Sequence, residues 1–112
     1  MLSTEEKVNI FKALGNETRF EIFQNVLNTP YECDINTQTK SKDIIKQATC
    51  VGTIASEFNY SLPTISRHLK ELKNAKLIIM EKVANKIYVK PNLQIIDALA
   101  ECFCHMRSKK HL

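Results

Sequence analysis

Only two glycines occur in 112 residues, and no glycine-rich turn of the kind that cradles a phosphate is present. No Ser-His-Asp set and no paired-carboxylate arrangement stands out either, so the chain makes no case for an enzyme. Long hydrophobic runs are missing, which excludes a bilayer-spanning helix, and no secretory signal pattern occurs at the N-terminus. A cytoplasmic chain with no membrane partner is the expectation. What remains is ordinary for a water-soluble protein, with 44% hydrophobic and 25% charged residues. The length predicts a single domain over 1–112, large enough for a core and small enough to gain stability from a partner.

The net charge of +4 decides little, but its distribution is informative. Residues 61–90 hold seven Lys or Arg against two acids, whereas residues 1–33 hold three basic and five acidic side chains. A local excess of this size suits a surface that meets phosphates. The four cysteines, Cys33, Cys50, Cys102 and Cys104, are in a cytosolic chain more naturally thiols than a disulfide framework. They are candidates for metal ligation or redox sensing, with small buried core residues as the plain alternative for each.

The positive segment opens on Ser61 to Leu72 (SLPTISRHLKEL). Leu62, Ile65, Leu69 and Leu72 recur at spacings of three, four and three, which predicts a helix with one apolar stripe. Ser61 is placed to cap it, and Pro63 is tolerated in a first turn whose N–H groups have no intrahelical partner. Thr64, Ser66, Arg67, His68 and Lys70 occupy the other faces and all donate hydrogen bonds. A helix held by one face and polar on another is what reading a DNA major groove requires, although an ordinary surface helix has the same pattern. Before it, Val51 to Phe58 reads as a shorter helix with Val51, Ile54, Ala55 and Phe58 inward, and Asn59-Tyr60 gives a tight connection. Together these predict a helix-turn-helix. After it, Leu77–Glu81 and Lys86–Lys90 are β-rich runs joined by residues 82–86, a hairpin of the kind that forms a wing.

The rest of the chain supplies a frame. Thr4 to Leu14 reads as a first helix capped by Ser3 or Thr4 and ended by Gly15. Asn16 to Arg19 starts a second, with Phe20, Ile22, Phe23, Val26 and Leu27 mostly inward. Residues 29–49 are polar and patternless apart from a short helical stretch at 41–47, and read as an inserted loop carrying Cys33. In the hairpin, Asn85 is suited to a left-handed turn, Lys82 and Lys86 are placed for phosphates, and Ile87 or Tyr88 packs inward. Leu93 to about Arg107 reads as a last helix. Its apolar side, with Ile95, Ile96, Leu99, Ala100, Phe103 and Met106, is too wide for a small domain to cover and suggests a dimer interface. A frayed basic tail, 107–112, follows.

Phe11 to Ile22 (FKALGNETRFEI), Leu62 to Leu72 (LPTISRHLKEL), and the hairpin after Ala75 to Ile78 resemble the arsenic-responsive repressor (ArsR/SmtB) family of small winged-helix metal sensors. The resemblance covers most of the chain except 29–49. It implies a mainly α fold with a β-hairpin wing (α+β), a winged helix-turn-helix that forms a homodimer through the first and last helices. It also implies binding to palindromic double-stranded operator DNA through Ser61, Pro63, Thr64, Ser66, Arg67, His68, Lys70, Lys82, Asn85 and Lys86. Arg19 is a hallmark position, read either as a salt-bridge residue or as a phosphate contact.

A family of this kind implies an effector site. Its arsenic sensors carry Cys-Val-Cys at the start of the third helix, where this chain has Cys50-Val51-Gly52. Cys102 and Cys104 are two apart, so on a helix they point about 200° apart and cannot easily share an ion. Asp97 and His105 compare only loosely with the family's zinc ligands, and the spacing does not match. Three readings stay open: a trivalent arsenic or antimony site, or one for another thiophilic metal, built from Cys33, Cys50, Cys102 and Cys104; a redox or persulfide switch; or inert thiols. A winged-helix module that binds protein instead of DNA is the alternative from another class.

Overall fold

A computed structural model describes residues 2–28 and 49–110 of the chain. The expected loop and short helix within 29–48, and Cys33 with them, lie outside the described residues. In chain order the elements are α1 (Thr4–Leu14), α2 (Glu17–Asn28), β1 (Thr49–Cys50), α3 (Val51–Glu57), α4 (Leu62–Asn74), β2 (Ile78–Val83), β3 (Lys86–Pro91) and α5 (Leu93–Lys110). The three strands form one antiparallel sheet in the order β1-β3-β2.

α1 begins with a capping box: the Ser3 hydroxyl accepts from the Glu6 N–H at 3.1 Å while the Glu6 carboxylate accepts from the Ser3 N–H at 3.0 Å. Two orphan donors of the first turn are thereby satisfied. The Ser3 N–H and then the Ser3 hydroxyl, both acting on the carboxylate, hold the Glu6 carboxyl below its ordinary pKa, with desolvation opposing and Lys76 adding a smaller lowering effect. After Gly15, the Asn16 side chain accepts from the Arg19 N–H at 3.0 Å and starts α2. Arg19 Nε then donates to the Ala13 carbonyl at 2.7 Å. Its place is thus a charge-assisted bond to the last turn of α1, which neither expectation for Arg19 named.

The first four helices give their inner side chains to one core: Ile10 and Ala13 from α1, Ile22, Phe23 and Val26 from α2, Val51 and Ile54 from α3, and Ile65, Leu69 and Leu72 from α4, with Ile95, Ile96 and Leu99 of α5 packed against it partly buried. Leu77, Ile78 and Val89 close it from the sheet side. Ile65, Leu69 and Leu72 are wholly enclosed, each worth about 2 kcal/mol of hydrophobic stabilisation. Leu62, expected in the same stripe, is instead 52% exposed. It stands at the first position of α4, beyond the edge of the core. Phe20 and Leu27 are likewise exposed, leaving Ile22, Phe23 and Val26 to bury α2.

The end of α4 fixes the wing. The Leu77 N–H donates to the Leu72 carbonyl and the Lys76 N–H to the Lys73 carbonyl, with Lys76 left-handed at φ 66°. This is a Schellman closure, and the buried Leu72 and Leu77 supply its apolar contact. Asn92 returns to the same corner: its side chain donates to the Lys76 carbonyl at 3.0 Å and its N–H to the Leu77 carbonyl at 3.0 Å. Its own carbonyl accepts from Ile95 and Ile96, which starts α5. Three elements therefore meet at one hydrogen-bonded knot.

Two details of the hairpin differ from expectation. The pairing of Met80 with Val89 and of Val83 with Lys86 leaves a two-residue turn, Ala84-Asn85, and the positive φ of 57° falls on Ala84. A positive angle at the first central position alone is the type II′ pattern, so Asn85 is not the left-handed residue. Val89, not Ile87 or Tyr88, is the fully buried side chain of β3, with Tyr88 half-buried and Ile87 exposed. The helix α5 also runs on through Lys110, so Arg107 to Lys110 is helical where a frayed tail was expected.

An L-residue at positive φ is strained, and glycine relieves it. Ala84→Gly is expected to raise stability by up to about 1 kcal/mol, seen as a higher urea midpoint at unchanged m value.

Candidate nucleic-acid interface

The polar face of α4 is built on the anchored stripe described above. Ser66, Arg67, Lys70 and Lys73 are all exposed, and Lys82, Asn85 and Lys86 are exposed on the wing. Ser66, Lys70 and Lys73 follow at spacings of four and three, so they lie along one line of the helix. The Ile65-Leu69-Leu72 line, about 100° round the helix, is enclosed, so the helix has one side free to dock.

Not every expected contact residue is equally free. The Ser61 hydroxyl accepts from the Thr64 N–H at 3.4 Å and shares a hydrogen bond with the Thr64 hydroxyl at 2.9 Å. Both groups are therefore committed first to capping α4. Pro63 is exposed in the first turn.

His68 points differently from Arg67. It is half-buried, and its Nδ1 is enclosed with no hydrogen-bond partner. Burial lowers its pKa, the nearby Arg19 and Arg67 guanidinium groups lower it further, and Glu71 opposes them. The enclosed Nδ1 has no path to a base edge, so this atom belongs to the packing between α4 and Arg19. The sequence reading placed His68 with Arg67 on the polar faces, and the position of Arg19 was the missing information.

The connection into α4 is braced from α2. Asn25 donates a hydrogen bond to Glu57 at the end of α3, and the Tyr60 and Thr18 hydroxyls approach to 3.4 Å. The preceding helix α3 starts at Cys50, which sits in β1 opposite Tyr88 and occupies the N-cap position of α3 without a side-chain capping bond. The strand β1 was not anticipated, because two residues carry no readable alternation. At Gly52, a Cβ would stand 3.8 Å from Cys50 Sγ, an ordinary contact. A side chain at position 52 therefore has room, and glycine is not forced there by packing.

The described thiols are separated. Cys50 is half-buried at the root of α3, Cys102 is half-buried on α5, and Cys104 is exposed on the same helix. Cys102 lines a cavity of about 570 Å³ with Leu2, Lys7, Ala98, Glu101 and His105. Among the described residues no group of three or more His, Cys, Asp or Glu side chains is placed to hold a metal ion. Among them, too, no helix is long and apolar enough to cross a membrane.

Comparison with known proteins follows the same lines. Residues 44–79 match the family described as bacterial regulatory protein, arsR family. An uncharacterised HTH-type transcriptional regulator of Bacillus subtilis (strain 168), YbzH, is 30% identical over 102 residues, covering 86% of this chain and 93% of that protein. The chain belongs to the arsR family. As a member it is a transcriptional regulator with a DNA-binding helix-turn-helix.

Solved structures agree on the fold. An ArsR-like transcriptional regulator from Rhodococcus sp. RHA1 superposes with a TM-score of 0.70 at 19% identity, covering 94% of this chain and 82% of that one. A homodimeric winged helix-turn-helix DNA-binding domain from Mycobacterium bovis, described as a possible ArsR-family regulator, gives 0.63 at 18% identity over 96% and 82% of the two chains. In this family's terms α3 and α4 are the helix-turn-helix and the β2–β3 hairpin is the wing.

The enclosed imidazole makes a pH prediction. Its folded pKa lies below the ordinary histidine value of 6.5, so below that pH the unfolded chain binds more protons than the folded one. Stability is whole above about pH 6.5 and falls as the pH drops through the lowered folded value. Urea midpoints measured from about pH 7.5 down to about pH 5 are expected to decline, and to decline less in His68→Gln.

Proposed function

We propose that the chain is a homodimeric repressor that binds palindromic operator DNA through α4 and the wing and leaves it on a thiol-reactive signal. The observation that carries the DNA reading is the core-anchored helix α4, with Ser66, Arg67, Lys70 and Lys73 all on its free side. The wing adds Lys82 and Lys86, which suit phosphate contacts beside the groove.

Dimerisation is supported by what α1 and α5 leave uncovered. Val8 and Phe11 on α1 and Leu93, Phe103 and Met106 on α5 are exposed, and none of the described side chains of α5 is fully buried. The Phe11 and Phe103 rings lie 5.9 Å apart and join the two helices into one apolar face. The Mycobacterium bovis neighbour, itself described as homodimeric, shares this fold. A two-fold dimer presents two copies of α4 to half-sites about 34 Å apart, one turn of DNA.

For the signal, the leading reading is trivalent arsenic or antimony, or another thiophilic metal, held by thiolates drawn from Cys33, Cys50, Cys102 and Cys104. Cys50 carries most weight, because ligation at the N-cap of α3 acts on the base of the helix-turn-helix. The alternative is a redox or persulfide switch through a cysteine pair.

Fluorescence anisotropy with duplex DNA tests both halves. Arg67→Ala is expected to weaken binding by roughly tenfold and to reduce the salt slope by about one, while the mass measured by light scattering stays dimeric. Unchanged affinity would rule out α4 as the reading helix. Arsenite added to the reduced complex is expected to release DNA, and Cys50→Ser to abolish that release. Release by a mild oxidant alone, reversed by reductant, would make the protein a redox switch. A DNA affinity indifferent to salt would instead favour a protein-binding module.

A further inference from the structure

Resting on the DNA-binding reading of α4, we infer that Leu62 is a specificity residue that reads the C5-methyl group of a thymine in each half-site. Leu62 is the first residue of α4 and is 52% exposed, and among the described large apolar side chains only Phe103 equals it. It belongs to two lines of the helix at once. Spacings of three and four relate it to the enclosed Ile65 and Leu69, and spacings of four relate it to the exposed Ser66 and Lys70. The core ends before it, so the structure places it with the second line.

The leading turn of a recognition helix is the part that meets base edges. Here that turn has little left with which to hydrogen-bond them. The Ser61 and Thr64 hydroxyls are engaged with one another and with the Thr64 N–H, and Pro63 has no N–H. What the turn offers outward beside these hydroxyls is apolar: Leu62 and, next to it, the exposed Pro63 ring. In the major groove only thymine presents a methyl group, whereas cytosine and adenine present amino groups there and guanine presents acceptors. A leucine pressed against any of those polar edges strips them of water without replacing their hydrogen bonds. Against a thymine methyl it loses nothing and buries both groups. The polar line behind it, Ser66, Lys70 and Lys73, supplies orientation and phosphate affinity, so Leu62 selects while its neighbours hold.

The test separates this inference from the reading beneath it. Duplexes selected by the wild-type protein from a randomised library are remade with single thymine-to-uracil replacements, which delete the methyl and leave the pairing edge intact. Anisotropy is then measured for wild type and for Leu62→Ser. One thymine per half-site is expected to matter, with about fourfold weaker binding on its replacement in wild type and no change in Leu62→Ser. Equal losses in the two proteins would assign the methyl to another residue and overturn the inference, as would indifference of wild type to every uracil or selected half-sites without thymine. In each of those cases salt-dependent binding to unselected duplex persists in both proteins and the DNA-binding reading stands. Loss of all duplex binding by wild type overturns both.

Discussion

Everything in this chain depends on the burial of Ile65, Leu69 and Leu72 along one side of α4. These side chains are wholly enclosed by residues of α1, α2, α3 and the sheet, so α4 is the element that the others are packed around. A surface helix held this way gains its stability from tertiary contact, not from helix propensity. That leaves Ser66, Arg67, Lys70 and Lys73 on its outer side with no part in holding the core, and they are hydroxyl and cationic groups. Rigidity on one side and chemical freedom on the other are the same fact seen from two faces.

The ends of α4 are set with equal firmness and by different means. Its start is capped by Ser61, and its end closes through Lys76 and Leu77, where Asn92 also binds. Because the wing leaves from that knot and α5 enters from it, any tilt of α4 is passed to both. Arg19 provides a second tie, joining the end of α1 to the start of α2 while its charge acts on His68 in α4. The exposed Lys76–Glu6 ion pair at 3.6 Å contributes little beside these bonds.

Much of this was legible in the residues. Ser3 with Glu6, Gly15, and Ser61 with Pro63 each obey a local rule, and the corresponding elements form where those rules place them. The readings that failed are those in which the deciding partner is distant in sequence. Leu62 fits an apolar stripe by spacing, but whether a stripe is covered depends on how far the core reaches. Asn85 is the better left-handed residue by type, yet the Met80–Val89 register assigns that angle to Ala84. His68 looked like its neighbour Arg67 until α2 brought Arg19 beside it. β1 is created by its partner β3 and has no signature of its own. On the interface itself, periodicity could name the residues of the free face but not rank them, because the Ser61–Thr64 bond that occupies two of them is a matter of side-chain geometry.

The helix α5 shows why a regulator can be built on so small a core. It is 18 residues long, yet none of its described side chains is fully buried, and its apolar groups form one surface with those of α1. A chain that covers its longest described helix on one side only, through Ile95, Ile96 and Leu99, has an unsatisfied hydrophobic term that a second copy can complete. In the proposed dimer the separation of the two α4 helices is then set through α1 and α5, not within either core. Cys102 lies on α5 beside the cavity formed with Leu2 and Lys7, and Cys50 lies at the start of α3. In the proposed mechanism a thiol chemistry at Cys102 would work on that frame and one at Cys50 on the root of the helix-turn-helix, each leaving the Ile65-Leu69-Leu72 anchor in place. Release from DNA would then require a shift between rigid parts and no unfolding, which is the less costly change for a domain stabilised by only about 5–15 kcal/mol.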